Sequence, residues 1–187
     1  MQEVKTIERI SADVAAAVFL RGDLVKLSPE DLVKHYFAVC DSIGLNRLTK
    51  PFEYITLNGK LTLYATRNCT DQLRKIYGIS IKILDRRMQD DMLVVHAEAT
   101  IKGTGRSDED FGVVPLYPAL KGEARSNSIM KCITKAKRRV TLSICGLSFL
   151  DESEVDSIPE KARNGASAQR SNQLLDQAVM EAQGGGQ

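Results

Sequence analysis

The sequence predicts an α+β fold: a mainly antiparallel β-sheet, made of a hairpin and a three-stranded meander, backed by helices. Three observations predict it. An Asn58-Gly59 turn separates two short β-prone runs, an alternating apolar pattern fills residues 79–116, and amphipathic helical stretches flank both. The element order α–α–ββ–α–βββ–α, with its strands in consecutive runs, is an α+β layout. At 187 residues, 43% hydrophobic and 27% charged, the chain suits one domain with a tail and has ample core.

Each element has its own signal. Residues 3–20 place Val4, Ile7, Val14 and Val18 at helical spacing. Ser28-Pro29-Glu30-Asp31 starts the next helix with a cap, a first-turn proline and two acids where the helix dipole favours them. Leu32, Val33, Tyr36, Phe37, Val39, Cys40 and Ile43 supply its apolar face, and Gly44 ends it. Tyr54–Leu57 and Leu61–Ala65 form a hairpin around Asn58-Gly59. A loop that also includes Lys60 aligns Ile55 and Leu57 with Leu61 and Leu63 on one face, so a three-residue loop with Lys60 at its tip is expected. Arg67–Tyr77 reads as a helix closed by Gly78, with Cys69, Leu73 and Ile76 inward. Ile79–Ile83 alternates, and after a Gln89-Asp90-Asp91 turn Leu93, Val95, Ala97, Ala99 and Ile101 alternate again. Lys102–Asp110 reads as a charged loop, Phe111–Leu116 as the third meander strand, and residues 119–146 as the longest helix. The polar stretch from Ser157 to Gln187 reads as a flexible tail with one weak helix over Leu174–Ala182.

Composition excludes several classes. No apolar run approaches the roughly 20 residues of a membrane span, and Met1–Glu8 is polar and mixed in charge, unlike a secretory signal. Cys40, Cys69, Cys132 and Cys145 are far apart with no CxxC pair, so they read as thiols in a reducing cytosol, neither disulfides nor a zinc site. No metal or cofactor is expected. Net charge is only +2, but residues 44–87 hold nine cations against three acids, and residues 121–139 hold seven against Glu123 alone. Two basic blocks in a nearly neutral chain are the footprint of a polyanion partner.

The second block has helical order. At 100° per residue, Ile129, Ile133, Ala136, Val140, Ile144 and Leu147 share one side, while Lys131, Lys135 and Arg138 share the other. Lys137 and Arg139 flank that ridge. Cations one turn apart stand about 5–6 Å from each other, close to the phosphate spacing of a stretched strand. A merely solvated face interleaves glutamates for i,i+4 pairs, yet no acid occurs from Ala124 to Leu150. Binding therefore outweighs solvation there.

Two segments also carry a resemblance. Gly44-Leu45-Asn46-Arg47-Leu48-Thr49-Lys50-Pro51-Phe52-Glu53-Tyr54, followed by Asn58-Gly59-Lys60, resembles the opening motif of the RecT and Red-beta phage single-strand annealing proteins. Ser126 to Val140, running into Cys145-Gly146-Leu147 and Asp151-Glu152-Ser153-Glu154, is similar to that family's basic helix and the short acidic segment after it. Eukaryotic Rad-type annealing proteins have a like stretch. The resemblance covers residues 28–158. Arg47 stands where the family commonly has proline, and the C-terminal extension is much shorter than in Red-beta.

The resemblance implies a ββαβββα core and a recombinase for homologous recombination and DNA repair. Such a protein coats single-stranded DNA and anneals complementary strands without ATP, as a ring or helical filament. It implies a DNA-binding core over 28–158, beside which the residues themselves read as a helical segment over 1–27 and a flexible tail over 159–187. It further implies a cytoplasmic, phage- or prophage-encoded protein in a bacterial host, with a phage exonuclease or host single-strand binding protein as partner. Candidate DNA contacts are Lys131, Lys135 and Arg138, supported by Lys137 and Arg139, with Lys50, Lys60, Arg67 and Arg74 from the hairpin and short helix. Arg74 also has Asp71 three residues before it as an ordinary ion-pair partner. Tyr54 and Tyr64 are read as strand packing ahead of base stacking.

Two alternatives remain. A passive strand protector shares every feature above. A metal-dependent nuclease would draw on Asp90, Asp91, Glu98, Asp108, Glu109, Asp110 and Lys102, but the two acidic runs read as exposed turns. His96 and Glu98 alternate onto one strand face with no nucleophile beside them, and nothing matches the Walker pattern. No catalytic residue is expected, and the protein reads as a binder, not an enzyme.

Overall fold

The computed structural model describes residues 12–18, 22–151, 155 and 165–184. The fold is α+β, with a two-stranded sheet and a three-stranded sheet, both antiparallel, and helices against them. The chain divides into two compact units, residues 1–69 with 158–187 and residues 70–157. Of the helix expected over 3–20, α1 (Ala12–Ala16) is seen, and the start lies outside the described residues.

In the first unit, α2 (Pro29–Ser42) begins as its sequence dictates: the Asp31 amide donates to Ser28 Oγ at 3.1 Å, and Glu30 pairs with Lys34 at 2.6 Å. Its buried side carries Leu32, His35, Tyr36 and Cys40. Tyr36 meets Phe52 of β1 (Phe52–Leu57) edge-on, with centroids 6.5 Å apart. Tyr54 is 2% exposed and donates its hydroxyl to Leu32 O at 2.8 Å, which makes it a core residue.

The hairpin corrects one expectation. Leu57 of β1 stands opposite Lys60 of β2 (Lys60–Ala65), so the loop has two residues, not three. Asn58 and Gly59 both adopt positive φ, 50° and 76°, the backbone of the primed turn that matches strand twist. Phe52, Tyr54 and Thr56 then share a face with Ala65, Leu63 and Leu61. The other face carries Glu53 opposite Tyr64, whose hydroxyl donates to Glu53 Oε2 at 2.5 Å, beside a buried Ile55. Both faces are largely covered, so apolar alternation could not set the register, and the turn geometry did.

The stretch read as a tail holds a third helix of this unit, α5 (Ala166–Gly184), numbered after the two helices α3 and α4 described next. Ala168, Ser171, Leu175 and Val179 form its buried stripe. Asn172 grips β1 directly: its Oδ1 accepts from the Tyr54 amide at 2.8 Å and its Nδ2 donates to Tyr54 O at 2.9 Å.

The helix α3 (Arg67–Ile76) contains the division between the units. Cys69 and Leu73 are fully buried as expected, but Ile76 is 47% exposed and Thr70 is buried instead. The buried arc runs from Cys69 through Leu73 to Thr70, and Ile76 falls outside it in the last turn.

In the second unit β3 (Ile79–Gln89), β4 (Met92–Ile101) and β5 (Ser107–Pro115) form the meander with β4 in the centre. Two expectations shift. β3 continues beyond Ile83 through a bulge to Gln89, and β5 begins at Ser107, leaving a shorter loop than Lys102–Asp110. The acids of that supposed loop are strand residues. Asp110 and Asp108 stand opposite Ala97 and Ala99, on the side that α4 (Gly122–Ile144) covers. Leu93, Val95, Ala97, Ala99, Val114 and Leu116 pack there against Cys132, Ala136, Val140 and Ile144 of α4. Gly112 sets the closeness of this seat: a Cβ there would lie 2.3 Å from Cys132 O and 2.6 Å from Ala136 N. Cys132 Sγ completes it with contacts of 3.2 Å to both Leu93 O and Gly112 O.

Candidate nucleic-acid interface

Helix α4 has a packed side and a cationic side. Cys132, Ala136, Val140 and Ile144 are buried, with Ile129 and Ile133 partly buried against the same core. Opposite them, Lys131 is exposed and Lys135 and Arg138 are half-buried, while Lys137 projects into solvent beside them. Lys135 and Lys137 have no ion pair among the described residues, whereas Lys131, Arg138 and Arg139 each engage another group. For Arg139 that group is Asp110, with Nε 3.2 Å from Oδ1.

The cationic side ends sooner than the helix does. Leu142 is 3% exposed although it projects on the Lys131–Arg138 side, and Thr141 on the flank of that side is fully buried. Thr141 Oγ1 turns back to donate to Lys137 O at 2.7 Å. In the last turn of α4, Thr141, Leu142 and Ile144 are buried and Ser143 is exposed. The signal was present in Leu142 and Cys145, apolar residues on the outward side of an otherwise amphipathic helix.

The remaining candidates are divided between the units. Lys50, Lys60 and Arg67 belong to the first. Lys50 ends a short 3-10 turn (Arg47–Thr49) with φ 53° and pairs with Asp176 of α5. Lys60 is exposed at the hairpin tip and Arg67 is exposed at the start of α3. Arg47, the departure from the family motif, lies over the Phe37 ring at 4.4 Å and 3.6 Å from Asp41. Arg74 belongs to the second unit with the α4 cations, and it pairs with Asp71, the ordinary partner its spacing offered.

The acids of the nuclease alternative are split between the two faces of the three-stranded sheet. Asp108 accepts from Ser143 Oγ at 2.6 Å and Asp110 holds Arg139, both on the α4 side. Glu98 and Glu109 stand opposite each other on the other face, and Asp90-Asp91 forms the β3–β4 turn. His96 looks across to Glu109, not along its strand to Glu98. Its Nε2 is 2.8 Å from Glu109 Oε2, off the line a hydrogen bond needs, and its ring stacks on Phe111 with centroids 4.3 Å apart. No group of three His, Cys, Asp or Glu among the described residues is placed to hold a metal ion. Burial pushes the Cys40 thiol up to about 12 and raises Cys132 and Cys145, so these three sulfurs are held as thiols at neutral pH.

No helix of the described residues is long and apolar enough to cross a membrane. No protein-family model matches the chain, and no curated protein matches its sequence.

Proposed function

We propose that the chain is a single-stranded DNA-binding protein that anneals complementary strands without ATP, as a homo-oligomer, and holds the phosphate backbone along the cationic side of α4. The observation that carries this reading is the pairing of that side with the core behind it. Lys131, Lys135 and Arg138 recur one turn apart opposite a stripe that packs on the core, and the helix itself contributes no carboxylate after Glu123. Such a row meets a polyanion at about one cation per 5.4 Å of helix.

Helix α4 also contains no aromatic residue, so it offers grip to phosphates and no platform for bases. Annealing needs that combination, because strands held by their bases cannot pair. Lys60 and Arg67 are secondary contacts in this reading. Lys50 and Arg74 contribute only after parting from Asp176 and Asp71.

Fluorescence anisotropy with labelled oligonucleotides over a salt series tests the grip. Lys135→Gln with Arg138→Gln weakens binding to all sequences alike and flattens the log–log salt dependence by roughly 0.7 per lost phosphate contact. Unchanged affinity and slope would reject the α4 interface. Mixing two labelled complementary strands tests the activity: faster pairing marks an annealer, and protection from nuclease without faster pairing leaves a passive binder.

A further inference from the structure

The three-stranded sheet has two outer strands, β3 and β5, and among the described residues no other strand pairs with either. An unpaired strand is a template for another chain. These two edges differ in charge, in cover and in register, and the differences fit one another.

The charges are opposite. β3 carries Lys82, Arg86 and Arg87 against Asp85, while β5 carries Asp108, Glu109 and Asp110 and no cation. The cover is lopsided. Helix α4 lies over β5 and β4 and scarcely touches β3. On the helix side of β3, Ile81 and Ile83 are therefore only half-buried and Met88 is 48% exposed, with Leu84 in the bulge 39% exposed. The register aligns the edges. Lys82 stands opposite Glu98, and Glu98 stands opposite Glu109, so the three make one row across the face away from α4.

We infer that β3 of one copy docks beside β5 of a second copy, head to tail, with Lys82 of one against Glu109 of the next. This deepens the reading above and rests on its assembly clause, not on strand annealing. Two-fold pairings are disfavoured by charge. A β3–β3 contact sets Lys82, Arg86 and Arg87 against their own copies, and a β5–β5 contact sets three carboxylates against three. A head-to-tail contact matches opposite charges. It also brings the helix-covered edge of one copy beside the half-buried Ile81 and Ile83 and the exposed Met88 of the next. A heterologous contact of this kind repeats in one sense, so it closes as a ring or winds as a filament.

The local competitors are few. Glu109 has His96 at 2.8 Å, Arg87 has Asp85 at 2.7 Å, and Asp108 and Asp110 face Ser143 and Arg139. Lys82 is exposed and has no ion pair among the described residues.

Light scattering on charge-reversed variants tests the contact. Lys82→Glu alone leaves both edges acidic at this row, and Glu109→Lys alone leaves both basic, so each falls to the 20.7 kDa of a single chain. An equimolar mixture regains the mass of the unaltered protein, because the acidified β3 of K82E meets the basic β5 of E109K and the reverse. The double variant K82E/E109K assembles by itself. Circular dichroism confirms that each variant keeps its fold. A folded single variant that keeps the full mass, or a mixture that stays at 20.7 kDa, overturns this contact and leaves the strand-binding measurement untouched. An unaltered protein that stays at one chain with and without oligonucleotide overturns both the contact and the assembly clause.

Discussion

The cations of residues 44–87 and those of residues 121–139 meet different surroundings. In the first stretch they are spread over several elements, and four stand beside acids: Arg47 has Asp41, Lys50 has Asp176, Arg74 has Asp71 and Arg87 has Asp85. In the second, one continuous helix carries them, and the neighbouring strand supplies Asp110 to Arg139. A carboxylate held within 4 Å has already taken much of the field that a phosphate would feel, and salt screens what is left. What separates the two stretches is the element that carries them: the paired cations of the first stand on separate elements, and the second lines its cations along one helix.

The comparison breaks most completely if α4 loses its seat. Gly112→Val drives a branched side chain into the Cys132 and Ala136 backbone and costs about 3 kcal/mol, read by denaturant unfolding. Full stability in that variant would mean that the helix is not seated there. Removing Lys135 and Arg138 together flattens the salt slope by about 1.4, whereas Lys50→Gln with Arg74→Gln flattens it by less than either α4 cation alone. An equal loss in the two pairs would erase the distinction. Asp110→Asn sharpens it in the other direction: it releases Arg139 and steepens the slope by up to about 0.7.

The smallest effect concerns acid. Burial lowers the pKa of His35 from its ordinary 6.5, and its Nδ1 has no hydrogen-bond partner. The fold therefore keeps the ring neutral while the unfolded chain takes up a proton, so stability is lost as pH falls below about 6.5. Thermal melts at pH 7 and pH 5 should show this loss in the parent, and a smaller one in His35→Leu.

The strands and helices announced themselves through period and punctuation. Ser28-Pro29, Asn58-Gly59 and Gly78 each marked a boundary that the structure keeps. The acidic start of β5 did not, because Asp108 and Asp110 are polar residues on a helix-facing side, satisfied by Ser143 and Arg139 some 30 residues later in the chain. The hairpin register was hidden because Ile55 and Leu63 are buried on opposite faces. The cationic side of α4 was legible from angle alone, and its end at Arg138 from the apolar Leu142 that follows on the same side and is 3% exposed. The pairing of Lys50 with Asp176 joins residues far apart in the chain, and no local pattern encodes that.

Asn172 has a consequence for how the hairpin behaves outside its own fold. Its carboxamide has the donor and acceptor of a peptide group, and it offers both to Tyr54 in the place where a further strand would lie. One side chain thus impersonates a neighbour and seals that rim against unwanted recruits. Without it, the little ribbon would be open to domain exchange and to fibrous stacking.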